Sequence, residues 1–83
     1  MLTETQAISR ASDQFAEWTS LAPEVTGAWS SELTVAVAIV PKNEPDWSGL
    51  GVILVDRNSG VCDVVASSTD PATVIANMAP VSI

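Results

Sequence analysis

The segment that most constrains this chain is an alternating apolar run, ELTVAVAIV, at residues 32–40. Successive side chains of an extended strand point to opposite faces. One face would carry Leu33, Val35, Val37 and Ile39, and the other Thr34, Ala36, Ala38 and Val40. Because neither set contains a charged residue, we expect a central strand that is covered on both faces.

An amphipathic helix is predicted before this strand, over about residues 4–20. Thr3 followed by Gln6 has the spacing of a capping box, which favours a helix start at this point. Apolar side chains then recur at steps of three and four residues, at Ile8, Ala11, Phe15 and Trp18. We expect this stripe, including Trp18, to pack in the core.

The next segments are predicted as connections and a hairpin. Residues 22–31 contain Pro23 and Gly27 and read as a connection, with a short extended piece around residues 28–29. Residues 41–49, PKNEPDWSG, read as a surface loop. Residues 50–66 read as a β-hairpin whose turn, DRNSG, has Gly60 available for a positive φ.

A second helix is predicted at about residues 71–79, with Asp70 as its N-cap and Pro80 as its stop. So short a helix has to dock on the sheet to be stable. The expected fold is therefore a single α+β domain over residues 1–83. It would have two layers, a three-stranded antiparallel sheet, and one helix at each end, in the order α-β-β-β-α.

Composition limits the classes of function that this chain can have. The chain has 47% hydrophobic and 16% charged residues, which indicates a folded domain and argues against a disordered acidic tail. Its net charge of −7 argues against nucleic-acid binding and would speed encounter with a basic protein, although acidity also serves solubility. A single cysteine, Cys62, and a start without signal-peptide or membrane-spanning character favour the cytoplasm.

The chemistry available is limited. The chain has no histidine and no tyrosine, so an imidazole cannot serve a nucleophile or a metal. Residues 56–67 match a calcium loop too poorly, and GLG at residues 49–51 lacks the remainder of a dinucleotide motif. Acid pairs such as Asp56 with Asp63 would need a pocket to act. We therefore expect no enzyme activity, no cofactor and no metal.

Candidate binding residues lie in the loop and in the hairpin. They are Glu44, Asp46, Trp47, Asp56, Arg57 and Asp63. Trp47, in a charged loop, is either a lid over the sheet edge or an anchor in a partner's pocket. Arg57 is expected to stay in water or to pair with Asp56 or Asp63 across the hairpin. Trp29 is assigned to neither core nor interface.

Residues 53–65, ILVDRNSGVCDVV, resemble the small bacterial immunity domains of the YrhB and immunity-protein-35 kind. In these, a strand ending in Val-Asp-Lys/Arg and a Thr/Ser-Gly turn lead to another strand. The matching residues here are Val55, Asp56, Arg57, Ser59 and Gly60. The family's Gly-Asn-x-Pro is replaced by WSGLG, and its aromatic-rich first strand by LTVAVAIV. The resemblance implies a cytosolic inhibitor of a toxin, without catalytic residues.

Two hypotheses follow. The first is a non-enzymatic binding protein, most concretely an antitoxin-like immunity protein that covers the active site of a basic toxin or effector. The second is a structural or regulatory module whose apolar sheet is completed by a second copy, as a homodimer. Neither hypothesis includes nucleic acid or membrane as a partner.

Replacing Trp47 by alanine tests its assignment as an anchor. We expect partner binding to weaken by about 2 kcal/mol or more, because buried aromatic anchors carry much of an interface's energy. The melting temperature should hardly change. Titration calorimetry and thermal unfolding check the two quantities, and loss of folding would place Trp47 in the core instead.

Overall fold

The computed structural model describes residues 1–43, 51–65 and 71–82. An N-terminal helix packs on one face of a five-stranded antiparallel sheet. The elements are α1 (Glu4–Thr19), β1 (Pro23–Ser30), β2 (Thr34–Pro41), β3 (Val52–Asp56), β4 (Cys62–Val64), α2 (Pro71–Ile75) and β5 (Ala79–Pro80). The strand order is β4-β3-β2-β1-β5, which puts β2 at the centre as predicted.

Helix α1 is bounded by side-chain and backbone caps. The Thr3 hydroxyl accepts from the Gln6 amide at 3.1 Å, and the Gln6 side chain accepts from the Thr3 amide at 2.9 Å. These two bonds form the predicted capping box and satisfy amides that a helix start leaves unpaired. At the other end Ser20 takes a left-handed conformation, φ 59°, and its amide donates to Ala16. The predicted helix is confirmed, ending one residue earlier.

The core lies between α1 and one face of the sheet. Its fully buried members are Ala7, Ala11, Phe15, Val35, Val37, Ile39, Ile53 and Val55. The predicted burial of Trp18 is wrong, since 45% of this residue is exposed. Helical periodicity gives the angle of a side chain around the axis, but not how far the sheet extends beneath the helix. Trp18 lies in the last turn of α1, where its ring is not fully covered.

Strand β1 is the largest departure from the sequence prediction, which had a connection here. It pairs with β2 from Pro23 opposite Pro41 to Ser30 opposite Val35. The residues that suggested a loop have strand roles. Pro23 occupies the first strand position, where a proline is tolerated, and the register shifts between Val25 and Gly27, which marks a β-bulge.

Gly27 in β1 is explained by the tryptophan two residues later. A Cβ at Gly27 would lie 3.0 Å from the end of the Trp29 ring. The absence of a side chain therefore lets the half-buried indole lie across the sheet face that α1 does not cover. Trp29 stands opposite Ala36 on β2 and Pro80 on β5.

The three-stranded α-β-β-β-α arrangement is wrong, although the α+β class and the antiparallel pairing are as predicted. The sheet gains β1 and the short β5. The second helix was predicted to reach residue 79 but ends at Ile75, and Asp70 lies outside the described residues. Residues 79–80 instead pair with β1, and the amide of Val81 donates to the carbonyl of Ala28. This segment therefore provides hydrogen-bond partners for backbone groups on the outer side of β1.

The predicted hairpin is confirmed as β3 and β4, with Val55 opposite Cys62 and Ile53 opposite Val64. Gly60 supplies the positive φ, at 75°. No helix among the described residues is long and apolar enough to cross a membrane.

Phe15 and Trp18 provide a matched test of this packing, one helical turn apart. Phe15→Ala should lower the free energy of unfolding by about 3–5 kcal/mol, because it leaves a cavity in the core. Trp18→Ala should cost about 1 kcal/mol, since much of the larger ring is already in water. Urea unfolding measures both, with Phe15→Leu as a milder variant. Equal losses would contradict the exposed position of Trp18.

Candidate functional site

The turn between β3 and β4 is held by Asp56. Its carboxylate accepts from the amides of Asn58, at 2.8 Å, and Ser59, at 3.4 Å. Its carbonyl accepts from the amide of Gly60 at 2.8 Å, and its amide donates to Val61 at 2.9 Å. These bonds make the turn a defined structure, in which an acidic side chain takes a backbone role typical of Asx turns.

Arg57 joins this turn to two other parts of the chain. Its Nε donates to the carbonyl of Leu2 at 2.9 Å, and its Nη1 donates to the carbonyl of Ser31 at 3.1 Å. Its backbone amide donates to Leu33 at 2.9 Å, and its carbonyl accepts from Leu2 at 2.7 Å. The predicted pairing with an acid of the hairpin is replaced by bonds to two carbonyls, a task that suits the several donors of a guanidinium.

We call the surface tied together by Arg57 the clamped end. It comprises residues 1–2, 31–33 and 56–61. Three of the most exposed large apolar side chains among the described residues lie here: Met1 at 71%, Val61 at 58% and Leu33 at 53%. The exposed acids Glu32 and Asp56 lie in the same segments. Exposed apolar side chains and exposed acids thus occur together in segments that hydrogen bonds of Arg57 join.

Strand β4 continues from the clamped end and forms one edge of the sheet. Asp63 is exposed and stands opposite Leu54, on the face away from α1. Cys62 and Val64 face the side of α1, and 41% of Val64 is exposed.

The thiol of Cys62 is half-buried and donates to the Gly60 carbonyl, with 3.8 Å between Sγ and oxygen. Burial raises the pKa of this thiol above its ordinary value; Arg10 partly offsets the shift, and the negative charge of Asp63 adds to it. Because the thiolate is the reactive form, Cys62 is a poor nucleophile at neutral pH.

Three of the six predicted binding residues lie in the part of the chain that the structure describes. Asp56 and Arg57 belong to the clamped end, and Asp63 lies along β4. Glu44, Asp46 and Trp47 lie outside the described residues. Their described neighbours, residues 43 and 51, stand at the other end of β2 and β3, where Gly51 accepts from the Ile39 amide. At about 3.3 Å per residue, the five steps from Gly51 to Asp56 span roughly 17 Å along β3.

Sequence reasoning missed Met1, Leu33 and Val61 as surface residues. Leu33 was placed on the apolar face of the central strand, but that strand begins only at Thr34. No local pattern separates an apolar residue just outside a strand from one just inside it. Within the described parts of the chain, no group of three or more acidic or thiol side chains could hold a metal ion.

Comparison with models of protein families, with curated proteins and with solved structures finds no match to this chain. The resemblance of residues 53–65 to immunity domains therefore stays a prediction.

Removing the guanidinium of Arg57 tests the clamp. Arg57→Met should lower the free energy of unfolding by about 2 kcal/mol, because two charge-assisted hydrogen bonds to carbonyls are lost. Amide exchange at Leu2 should speed up, since its acceptor is the Arg57 carbonyl. Arg10→Met is the control: Arg10 donates to Gln14 one turn along the same helix, so we expect a loss below about 1 kcal/mol. Equal losses would contradict a special role for Arg57.

Proposed function

We propose that this chain is a non-enzymatic protein-binding domain of the cytoplasm. In this proposal it is an immunity-type inhibitor that covers the active site of a basic toxin or effector. The observation that carries the proposal is the clamped end, where Met1, Leu33 and Val61 are exposed in segments that Arg57 joins by hydrogen bonds and that also contain exposed acids.

Exposed apolar side chains on hydrogen-bonded segments that also carry charged groups suit protein recognition. Apolar anchors that become buried supply most of the energy of an interface, and charges around them set encounter rate and register. Since the clamped end is already ordered by hydrogen bonds, binding would cost little further ordering of its backbone. The net charge of −7 favours a basic partner.

The side chains available in this sequence favour a protein that covers a partner's active site over one that catalyses a reaction. A sequence without histidine lacks the side chain that most often transfers protons at neutral pH. Burial raises the pKa of the Cys62 thiol, which further disfavours the reactive thiolate. The match of Val55, Asp56, Arg57, Ser59 and Gly60 to immunity domains agrees with an inhibitor.

A second candidate is self-association through the sheet face opposite α1. That face carries Trp29, Ala36 and Leu54 in adjacent strands, and none of the described elements packs broadly on it. Sedimentation velocity distinguishes the two candidate functions. A monomeric species of 8.6 kDa supports the inhibitor, and a tight dimer supports the self-associating module.

The product of the adjacent gene is the direct test, because immunity proteins are usually encoded beside their toxins. We expect this chain to restore growth to cells that express that product, and to bind it in titration calorimetry. The double variant Leu33→Ser, Val61→Ser should bind at least tenfold more weakly, since it removes two apolar contacts at the clamped end.

Trp18→Ala is the matched control, because it also removes an exposed apolar side chain, at the opposite end of α1 from Leu2. It should bind like the unmodified chain. Absence of both rescue and binding would contradict the immunity function. An equal loss in the control would contradict the clamped end as the contact surface.

A further inference from the structure

The two edges of the sheet differ in what they offer another strand. At one edge, β5 is two residues long and includes Pro80, which has no amide hydrogen. At the other edge, β4 presents three residues without proline, and none of the described residues pairs with its outer side. An unpaired edge with free donors and acceptors is a template for an added strand.

The register of β4 shows which backbone groups face outward. The carbonyl of Val61 and the amide of Val65 are bonded to β3, at 2.9 Å and 3.2 Å. Backbone groups of alternate residues point to opposite sides of a strand. The amides and carbonyls of Cys62 and Val64 therefore point away from β3, and Asp63 lies midway between them.

The described part of the chain leaves space beside this edge. Helix α1 packs on β1, β2 and β3 and reaches β4 only at its margin. Its axis is thus about two strand spacings, or roughly 10 Å, from β4. A helix has a radius of about 5 Å with its side chains. A strand added beside β4 would avoid α1 and would cover the exposed part of Val64.

Asp63 decides what kind of strand can be added. If a second copy paired antiparallel through Cys62 and Val64, the two Asp63 side chains would stand directly opposite each other. Like charges in that position destabilise the pairing, and opposite charges stabilise it. Asp63 therefore disfavours pairing of β4 with β4 of a second copy. It favours pairing with a strand that carries a cation opposite Asp63.

We propose that β4 accepts an extended segment of the partner protein by strand addition, with a lysine or arginine opposite Asp63 and apolar residues on either side of it. This rests on the proposed function and specifies how the partner is held. A stable interface buries roughly 800 Å² per partner, more than a few side chains of the clamped end can supply. Because β4 begins directly after Val61, the added strand would extend that surface without a break.

The Asp63→Lys variant of this chain is the probe, because it carries a preformed β4 with lysine in the required position. Unmodified chain alone and variant alone each place like charges opposite each other, whereas a mixture can pair aspartate with lysine. We expect heterodimers to form about tenfold more tightly than either homodimer. Sedimentation of the mixture measures this. In ¹⁵N spectra of the labelled unmodified chain, the shifts should centre on the amides of Cys62 and Val64.

Two controls make the result specific. Glu32→Lys changes the net charge of −7 by the same two units, but at the clamped end instead of the edge. A mixture of this variant with the unmodified chain should therefore show no tighter heterodimer than either homodimer. Adding Val64→Pro to the probe removes an outward amide and should abolish the gain, with circular dichroism checking the fold. No gain with Asp63→Lys, or an equal gain with Glu32→Lys, would overturn the proposal. Because no partner is needed, this failure would leave growth rescue by the unmodified chain standing.

Discussion

The structure depends on the need of β2 to be covered on both faces. This strand has no charged residue, and leaving its valines and isoleucine in water would cost about 1.5–3 kcal/mol for each large side chain. Phe15 and the alanines of α1 cover one face, and small residues at Ala7 and Ala11 let the helix approach the sheet closely. On the other face, Trp29 and Leu54 flank Ala36, which is fully buried. The remaining strands extend this arrangement to either side.

The sequence predicted those elements whose first or last residues are determined by neighbours a few positions away. The start of α1 follows from Thr3 and Gln6, and the hairpin turn follows from Gly60, because each uses a neighbour within a few positions. Strand β1 could not be predicted in this way. In the sequence Gly27 looks like a loop residue, because the Trp29 ring that lies against it is seen only in the structure. The pairing of β1 with β2 is a tertiary contact, which local sequence signals do not reveal. The same holds for the ending of α2, where pairing of residues 79–80 with β1 overrides helical periodicity.

The candidate site was less accessible to sequence reasoning than the fold. Asp56 and Arg57 were found because they stand out in the turn, but the partners of Arg57 are 26 and 55 positions away in the chain. No spacing rule reaches that far. The apolar side chains of the clamped end look like core residues by type, and only the ends of the strands show that they project into solvent. The net charge, by contrast, could be read directly from the sequence.

We propose that these features form one contact surface, which runs from Leu33 across the β3–β4 turn and along β4. Hydrogen–deuterium exchange of the chain, with and without the product of the adjacent gene, measures that surface most directly. New protection is expected at the amides of Leu33, Cys62 and Val64, which lie in the clamped end or on the open edge. Protection confined to α1 or to the face that carries Trp29, or no protection at all, would contradict it.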